Sequence, residues 1–205
     1  MSGPAMLSSD PYNLIITGVG GQGNVLASRM TGEMLSHLGF HVTIGETFGA
    51  SQRGGSVMSH LRVSADSAFS PQIPRGRAHM VVALEPAEAL RVLRDYGNPE
   101  VRVICNTRPI HPIGVICGEQ SYSPLENLKV WIRSLSREVW FIDATEAAVG
   151  LGNPILGNII SVGALAATGV LPLTRGDLEA VLAPRMSADK VDLNLTAFDL
   201  GATMI

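Results

Sequence analysis

The feature that most constrains this chain is a glycine-rich turn set between two regular segments. Gly18-Val19-Gly20-Gly21-Gln22-Gly23 follows an apolar run from Tyr12 to Thr17 and precedes a helical pattern from Asn24 to Leu38. The apolar run is short and dense enough for a buried strand. Val25, Met30, Met34, Leu35 and Leu38 recur near helical spacing, and Gly39 stops the helix. A strand that turns through glycines into a helix opens a β-α-β unit, and the rest of the chain repeats the alternation. Strands are expected at 41–46, 56–64, 80–84, 101–105 and 139–143, and helices at 86–96, 124–137, 154–167, 174–182 and 187–200. Apolar strands alternating with helices predict a three-layer α/β/α, Rossmann-like domain with a mostly parallel sheet. The strand over 56–64 carries Val57, Ser59, Leu61 and Val63 on one face and Met58, His60 and Arg62 on the other. Those unlike faces place it at a sheet edge.

A chain of 205 residues makes one domain. Residues 1–11 are expected as a flexible N-terminal tail and 12–205 as the single domain. The tail has neither a basic start nor an apolar core, so it is no secretory signal. With 15 basic and 18 acidic residues the net charge is −3, which removes the electrostatic footprint of a general nucleic-acid binder. Only 16% of residues are charged. For a soluble domain that points to surface covered by another protein. The uncharged stretch from Ala147 to Thr174 is broken by Asn153, Pro154, Gly157 and Gly169 and cannot form an unbroken apolar helix of about 20 residues, so no membrane span is expected. The two cysteines, Cys105 and Cys117, cannot hold a four-thiolate cluster or zinc site. The expected compartment is the cytoplasm, with both thiols reduced.

The turn satisfies G-x-G-x-x-G in the strand-helix context that binds dinucleotides, where glycines allow close approach and free amides at the helix start attract phosphate. Two departures stand against a nicotinamide or flavin. Gly21 is an additional glycine, and Leu38-Gly39-Phe40 stand where a ribose-binding acid belongs. A bound dinucleotide, another phosphate group and a purely structural turn all stay open. Gln52-Arg53-Gly54-Gly55 is a second unusual loop. An arginine amid flexible, donor-rich backbone suits an anion or a partner's carboxylate, and equally a local bond to nearby carbonyls. If the first two strands are neighbours, both loops meet at the carboxyl edge of the sheet. No catalytic residue and no metal ligand set emerges. The five histidines show no metal spacing, no G-x-S-x-G elbow is present, Cys105 fits a small core residue, and Asp143 fits a helix cap.

Taken together, Gly18–Gly23 and Ser51-Gln-Arg-Gly-Gly-Ser-Val57 resemble the gamma-type subunit of 2-oxoacid:acceptor oxidoreductases. Ala83-Leu-Glu-Pro86, Asn106-Thr-Arg-Pro109, Asp143-Ala-Thr145 and Gly152-Asn-Pro154, with Asn158 and Gly163-Ala-Leu165 behind, resemble the small (beta) subunit of the indolepyruvate ferredoxin oxidoreductases in particular. The likeness runs from about Leu14 to Leu200. It implies a heteromer that oxidatively decarboxylates 2-oxoacids with coenzyme A and passes electrons to ferredoxin. This chain lacks the Gly-Asp-Gly segment that anchors thiamine diphosphate through magnesium, and it lacks cluster cysteines. The resemblance therefore implies a large catalytic subunit that carries thiamine diphosphate, magnesium and iron–sulfur clusters, with this chain as a small non-redox subunit, inactive alone. Candidate cofactor-binding residues are Gly18, Gly20, Gly21, Gln22, Gly23, Gln52, Arg53, Gly54 and Gly55. They would take a coenzyme A phosphate, or else complete the shape of the active-site cleft. The same subunit class serving pyruvate, 2-oxoglutarate or branched-chain 2-oxoacids is the alternative, as is a stand-alone nucleotide-binding protein.

Overall fold

A computed structural model describes residues 7–49 and 55–205. Six strands form one sheet: β1 (Tyr12–Val19), β2 (His41–Phe48), β3 (Ser56–Ser64), β4 (Met80–Ala83), β5 (Arg102–Asn106) and β6 (Glu138–Ile142), in the spatial order β2-β3-β1-β4-β5-β6. The helices are α1 (Asn24–His37), α2 (Pro86–Tyr96), α3 (Ile113–Ile116), α4 (Leu125–Ser134), α5 (Ala144–Gly150), α6 (Gly157–Ala167), α7 (Arg175–Leu182) and α8 (Ala188–Ala202), with a 3-10 turn over Pro154–Leu156 before α6.

The sheet is mixed. β1, β4, β5 and β6 run parallel, while β3 is antiparallel to both β1 and β2. The alternation along the central strands explains the two helical layers, because successive side chains point to opposite faces. Leu14 and Ile16, Met80 and Val82, and Ile104 face a large core shared with α1, α5, α6, α7 and α8. Ile15, Val81, Ala83, Val103 and Cys105 face a smaller core under α2 and the inner side of α4.

Two expectations about β3 need correction. It is not an edge strand but lies between β2 and β1, and β2 is the edge. Its polar-looking face is also covered in part, with His60 buried and Met58 and Arg62 half-buried. His60 accepts a hydrogen bond at Nδ1 from the Ile73 N–H (3.3 Å) and stacks edge-on against Tyr96, so the connection after β3 folds back and covers it. The first two strands are therefore not neighbours. The segment expected as a tail lies, from residue 7, against the domain: Leu7 packs on the larger core, and the Asp10 carboxylate accepts from the Ala65 N–H.

Most helices fall where their patterns put them, α2 with identical bounds. Glu85 caps its start and Pro86 occupies the first turn, where a missing N–H is harmless. Two short helices, α3 and α5, are absent from the sequence expectation, since one or two turns carry too few residues to show a period. Among the described residues, no helix is long and apolar enough to cross a membrane.

α6 and α8 cross at backbone contact. A Cβ on Gly163 would lie 2.0 Å from the Phe198 carbonyl oxygen, and one on Gly201 would lie 1.9 Å from that of Ile160. Each helix presents a glycine to the other's backbone. The glycine inside the apolar helical stripe is thus explained by close packing within this chain.

Candidate functional site

Because β1, β4, β5 and β6 are parallel, their carboxyl ends share one edge. The chain leaves β1 toward one side of the sheet and later fills β4 to β6 on the other, so β1 and β4 flank the point where strand order reverses. Folds of this type leave a crevice there. A cavity of ≈ 400 Å³ occupies it, with Gly20, Gly21 and Gln22 on one wall, Leu84, Asn106, Arg108 and Ile110 on another, and Thr145, Pro154, Ile155, Gly157 and Asn158 closing it.

The turn owes its shape to its own side chains. Gln22 folds back so that its Oε1 accepts from the Val19 N–H (2.7 Å) and its Nε2 donates to the Leu84 carbonyl (2.8 Å). That clips the end of β1 to the end of β4. Asn24 Nδ2 donates to the Val19 carbonyl (3.0 Å). These inward-turned amides leave no space at Gly18, where a Cβ would stand 2.6 Å from both Asn24 Oδ1 and Gln22 Oε1. Gly18 therefore acts on the turn rather than on the cavity contents, while Gln22 both shapes the turn and lines the cavity. Gly21 (φ 104°) and Gly23 (φ 83°) hold left-handed backbone that side chains rarely adopt. Gly23 also admits Asn158, whose Nδ2 donates to its carbonyl (3.4 Å). Beside Gln22, the turn presents the backbone of Gly20 and Gly21 to the cavity. Among the described residues no side chain caps α1, and its first turn holds no acid. A helix start of that kind suits an anion.

Of the second loop, Gln52, Arg53 and Gly54 lie outside the described residues. Gly55 is brought to the site: its carbonyl accepts from the Gly20 N–H (2.8 Å). The two glycine segments meet because β3 starts beside the end of β1, with Ser56 opposite Val19, not because β1 and β2 pair.

The opposite wall holds residues that sequence reasoning quoted only as family-like fragments. Asn106, buried at the end of β5, donates through Nδ2 to the Leu84 carbonyl (3.1 Å) and to Thr145 Oγ1 (2.9 Å), and its Oδ1 accepts from the Thr145 N–H (3.3 Å). One side chain thus ties together the exits of β4 and β5 and the start of α5. Arg108 supplies the only charged side chain among the lining residues described, paired loosely with Glu146 at 3.4 Å. Asp143 stands at the N-cap position of α5 without capping it through its side chain. It accepts instead from the Thr107 hydroxyl. Cys105 is fully buried and its thiol is pushed far up by burial, so it is no nucleophile.

The group that sequence reasoning passed over is Glu85, 1% exposed at the end of β4. Its Oε2 accepts from the Glu88 N–H (2.9 Å), while Oε1 accepts from the Ile110 N–H (3.4 Å) and from the Tyr122 hydroxyl. Burial raises its pKa; those hydrogen bonds work against the rise and nearby Glu88 adds to it. Glu85 thereby fastens both ends of the loop from Ile110 to Tyr122, whose first residue lines the cavity. An acid directly before a proline at a strand end was the available signal.

These features define a class: a three-layer α/β domain with a ligand-sized crevice at its strand-order switch. The fold matches solved structures of that kind. The pyruvate oxidoreductase subunit PORC of Thermotoga maritima superposes with a TM-score of 0.67 at 18% identity, over 96% of this chain and 97% of that one. The 2-oxoglutarate:ferredoxin oxidoreductase of Magnetococcus marinus, solved with 2-oxoglutarate, coenzyme A and succinyl-CoA bound, superposes at 0.75 and 18% identity, over 96% of this chain but 31% of that longer one. The pyruvate ferredoxin/flavodoxin oxidoreductase family model matches residues 13–204, and the chain belongs to that family. The indolepyruvate oxidoreductase subunit IorB of Pyrococcus horikoshii is 36% identical over 93% of this chain and 94% of its own. The family resemblance drawn from the two glycine-rich signatures is thereby confirmed.

Proposed function

We propose that this chain is the small, non-redox subunit of an indolepyruvate-type 2-oxoacid:ferredoxin oxidoreductase. In that role it joins a large subunit that carries thiamine diphosphate, magnesium and iron–sulfur clusters, and the assembly converts a 2-oxoacid and coenzyme A to acyl-CoA and carbon dioxide while two electrons pass to ferredoxin. The observation that carries the proposal is 36% identity, over nearly the full length of both chains, to an indolepyruvate oxidoreductase subunit. Among the described residues, no three histidine, cysteine or acidic side chains gather to hold a metal ion, and two cysteines cannot ligate a four-thiolate cluster. The redox groups do not fit this chain.

The cavity lining supports coenzyme A instead. The Gly21 backbone and the Arg108 guanidinium line the same cavity and suit a phosphate, while the Gly20 N–H is already given to the Gly55 carbonyl; Leu84, Ile110 and Ile155 offer apolar walls. When bound, coenzyme A supplies the thiol that accepts the acyl group. This chain's part is to hold the anionic end and exclude water. Arg53, outside the described residues, is assigned the same anion or an acidic group of the partner. The proposed compartment is the cytoplasm.

The test is to co-express the two subunits and assay viologen reduction with a panel of 2-oxoacids, varying coenzyme A. Indolepyruvate is expected to be the preferred substrate. Gly21→Val is expected to raise the KM for coenzyme A about tenfold or more, the scale of one lost charge-assisted contact, with kcat little changed. Turnover of aliphatic 2-oxoacids alone would replace the substrate assignment, and an unchanged KM would remove coenzyme A from this turn.

A further inference from the structure

We propose that α3 and the loop carrying it form the docking knob by which this chain seats on its catalytic partner at the mouth of the cavity. The inference rests on the subunit role proposed above and adds the surface that performs it. From Pro109 to Gly118 the loop has no acid, lysine or arginine and a single histidine, His111, and none of the four residues of α3 is buried. Ile113 is 75% exposed and Ile116 is 69% exposed, the two most exposed large apolar side chains among the described residues. A loop that merely connected β5 to α4 would be polar at such positions.

This is not a loose excursion. The Glu85 carboxylate grips it from both sides through the Ile110 N–H and the Tyr122 hydroxyl. Within it, the Glu119 and Gln120 N–H groups both donate to the Gly114 carbonyl (2.8 and 2.9 Å). A buried acid thus holds an apolar knob in one pose, and preorganisation of that kind favours docking over flexibility.

Position decides the occupant. Ile110, three residues before Ile113, lines the cavity, and Ile155 on its far side is also partly exposed. Leu26, in the first turn of α1, adds a fourth exposed apolar side chain at the same edge of the sheet. A chain that covers this edge also covers the cavity mouth, so it must be the chain that supplies the reacting group there. A second copy of this chain would instead close each cavity against another without chemistry. In the Magnetococcus enzyme the same fold makes up 31% of one longer chain, so there it is built into a larger body.

The experiment compares the wild-type chain, the double variant Ile113→Asp/Ile116→Asp, and the control Val130→Asp on the outer face of α4. Binding to the thiamine-diphosphate subunit is measured by calorimetry, and each isolated chain is checked by circular dichroism and size-exclusion chromatography. The double variant should fold as wild type and bind at least about 30-fold more weakly, the scale of a desolvated hot spot, while Val130→Asp binds as wild type. Wild-type binding by the double variant overturns the inference and leaves the subunit role standing. If the wild-type chain itself fails to bind the large subunit, the subunit role falls and the inference with it. If the wild-type chain dimerises, the double variant is monomeric and both bind the large subunit equally, the knob belongs to a second copy and the inference is wrong.

Discussion

Replacing Gly163 by alanine is the sharpest probe of how this fold is held together. The new methyl carbon would stand 2.0 Å from the Phe198 carbonyl oxygen, where a carbon–oxygen contact needs about 3.3 Å. The obstacle is backbone, so no rotamer change relieves it, and α8 must move away by about an ångström. Gly201 meets the Ile160 backbone at the same crossing, so a shift opens packing on both sides of the larger core. Overpacking of this kind destabilises by about 1–3 kcal/mol. Alanine returns up to about 1 kcal/mol through its better helix propensity. Since the clash is with backbone, the net is expected at about 2 kcal/mol of lost stability. Urea denaturation of the isolated chain should show the midpoint falling with an unchanged m-value. Gly176→Ala is the control: its Cβ would meet only Thr174 Oγ1 at 3.8 Å, so propensity alone acts and the variant should gain up to about 1 kcal/mol. If Gly163→Ala equals wild type or gains like Gly176→Ala, the close crossing of α6 and α8 is wrong.

Three further outcomes are expected. Burial holds the Glu85 proton in the folded chain to higher pH than in the unfolded chain, so its contribution is fully present below the ordinary carboxylate pKa and is lost as pH rises through the raised value. Glu85→Gln should therefore destabilise more at pH 5 than at pH 8, and by about 1 kcal/mol through the lost α2 cap; denaturation at the two pH values checks both. His60 has the opposite sign, because burial lowers its pKa below 6.5: its contribution is present above 6.5 and is lost as pH falls through the lowered value. His60→Gln should flatten the wild-type loss of stability between pH 7 and 5, leaving the part due to His79, whose pKa is lowered chiefly by burial and further by Arg77. Asn158→Ala should loosen the Gly23 carbonyl contact without unfolding the chain, seen as faster amide exchange at 20–25 at near-constant Tm.

The fold was legible because its signals are local. The alternation of dense apolar runs with helical stripes needs no tertiary knowledge, and Pro86 after an acid marks a helix start on its own. What the sequence hid is pairing. His60 and Arg62 mark β3 as amphipathic, but the cover over that face comes from the connection through Ile73, thirteen residues from His60, so an edge strand was the natural and mistaken inference. The site was half legible. Gly18–Gly23 announces a tight turn, yet only the structure shows that Gly18 serves the turn while Gly20, Gly21 and Gln22 line the cavity. The family-like fragments around Leu84, Asn106, Thr145 and Asn158 lie far apart in the chain and gain meaning only where four parallel strands end together. Glu85 was missed because nothing local tells that its carboxylate will be buried under a loop centred about thirty residues later.

Dye reduction by the purified chain alone, and again after addition of the large subunit, separates a subunit from a self-sufficient enzyme. Each is supplied with indolepyruvate, coenzyme A, thiamine diphosphate and magnesium. No viologen reduction by the chain alone, and turnover that rises with added large subunit to a fixed stoichiometric end point, is the result expected of a subunit that shapes a site but carries no redox group. Turnover by the chain alone at the rate of the assembly would contradict it.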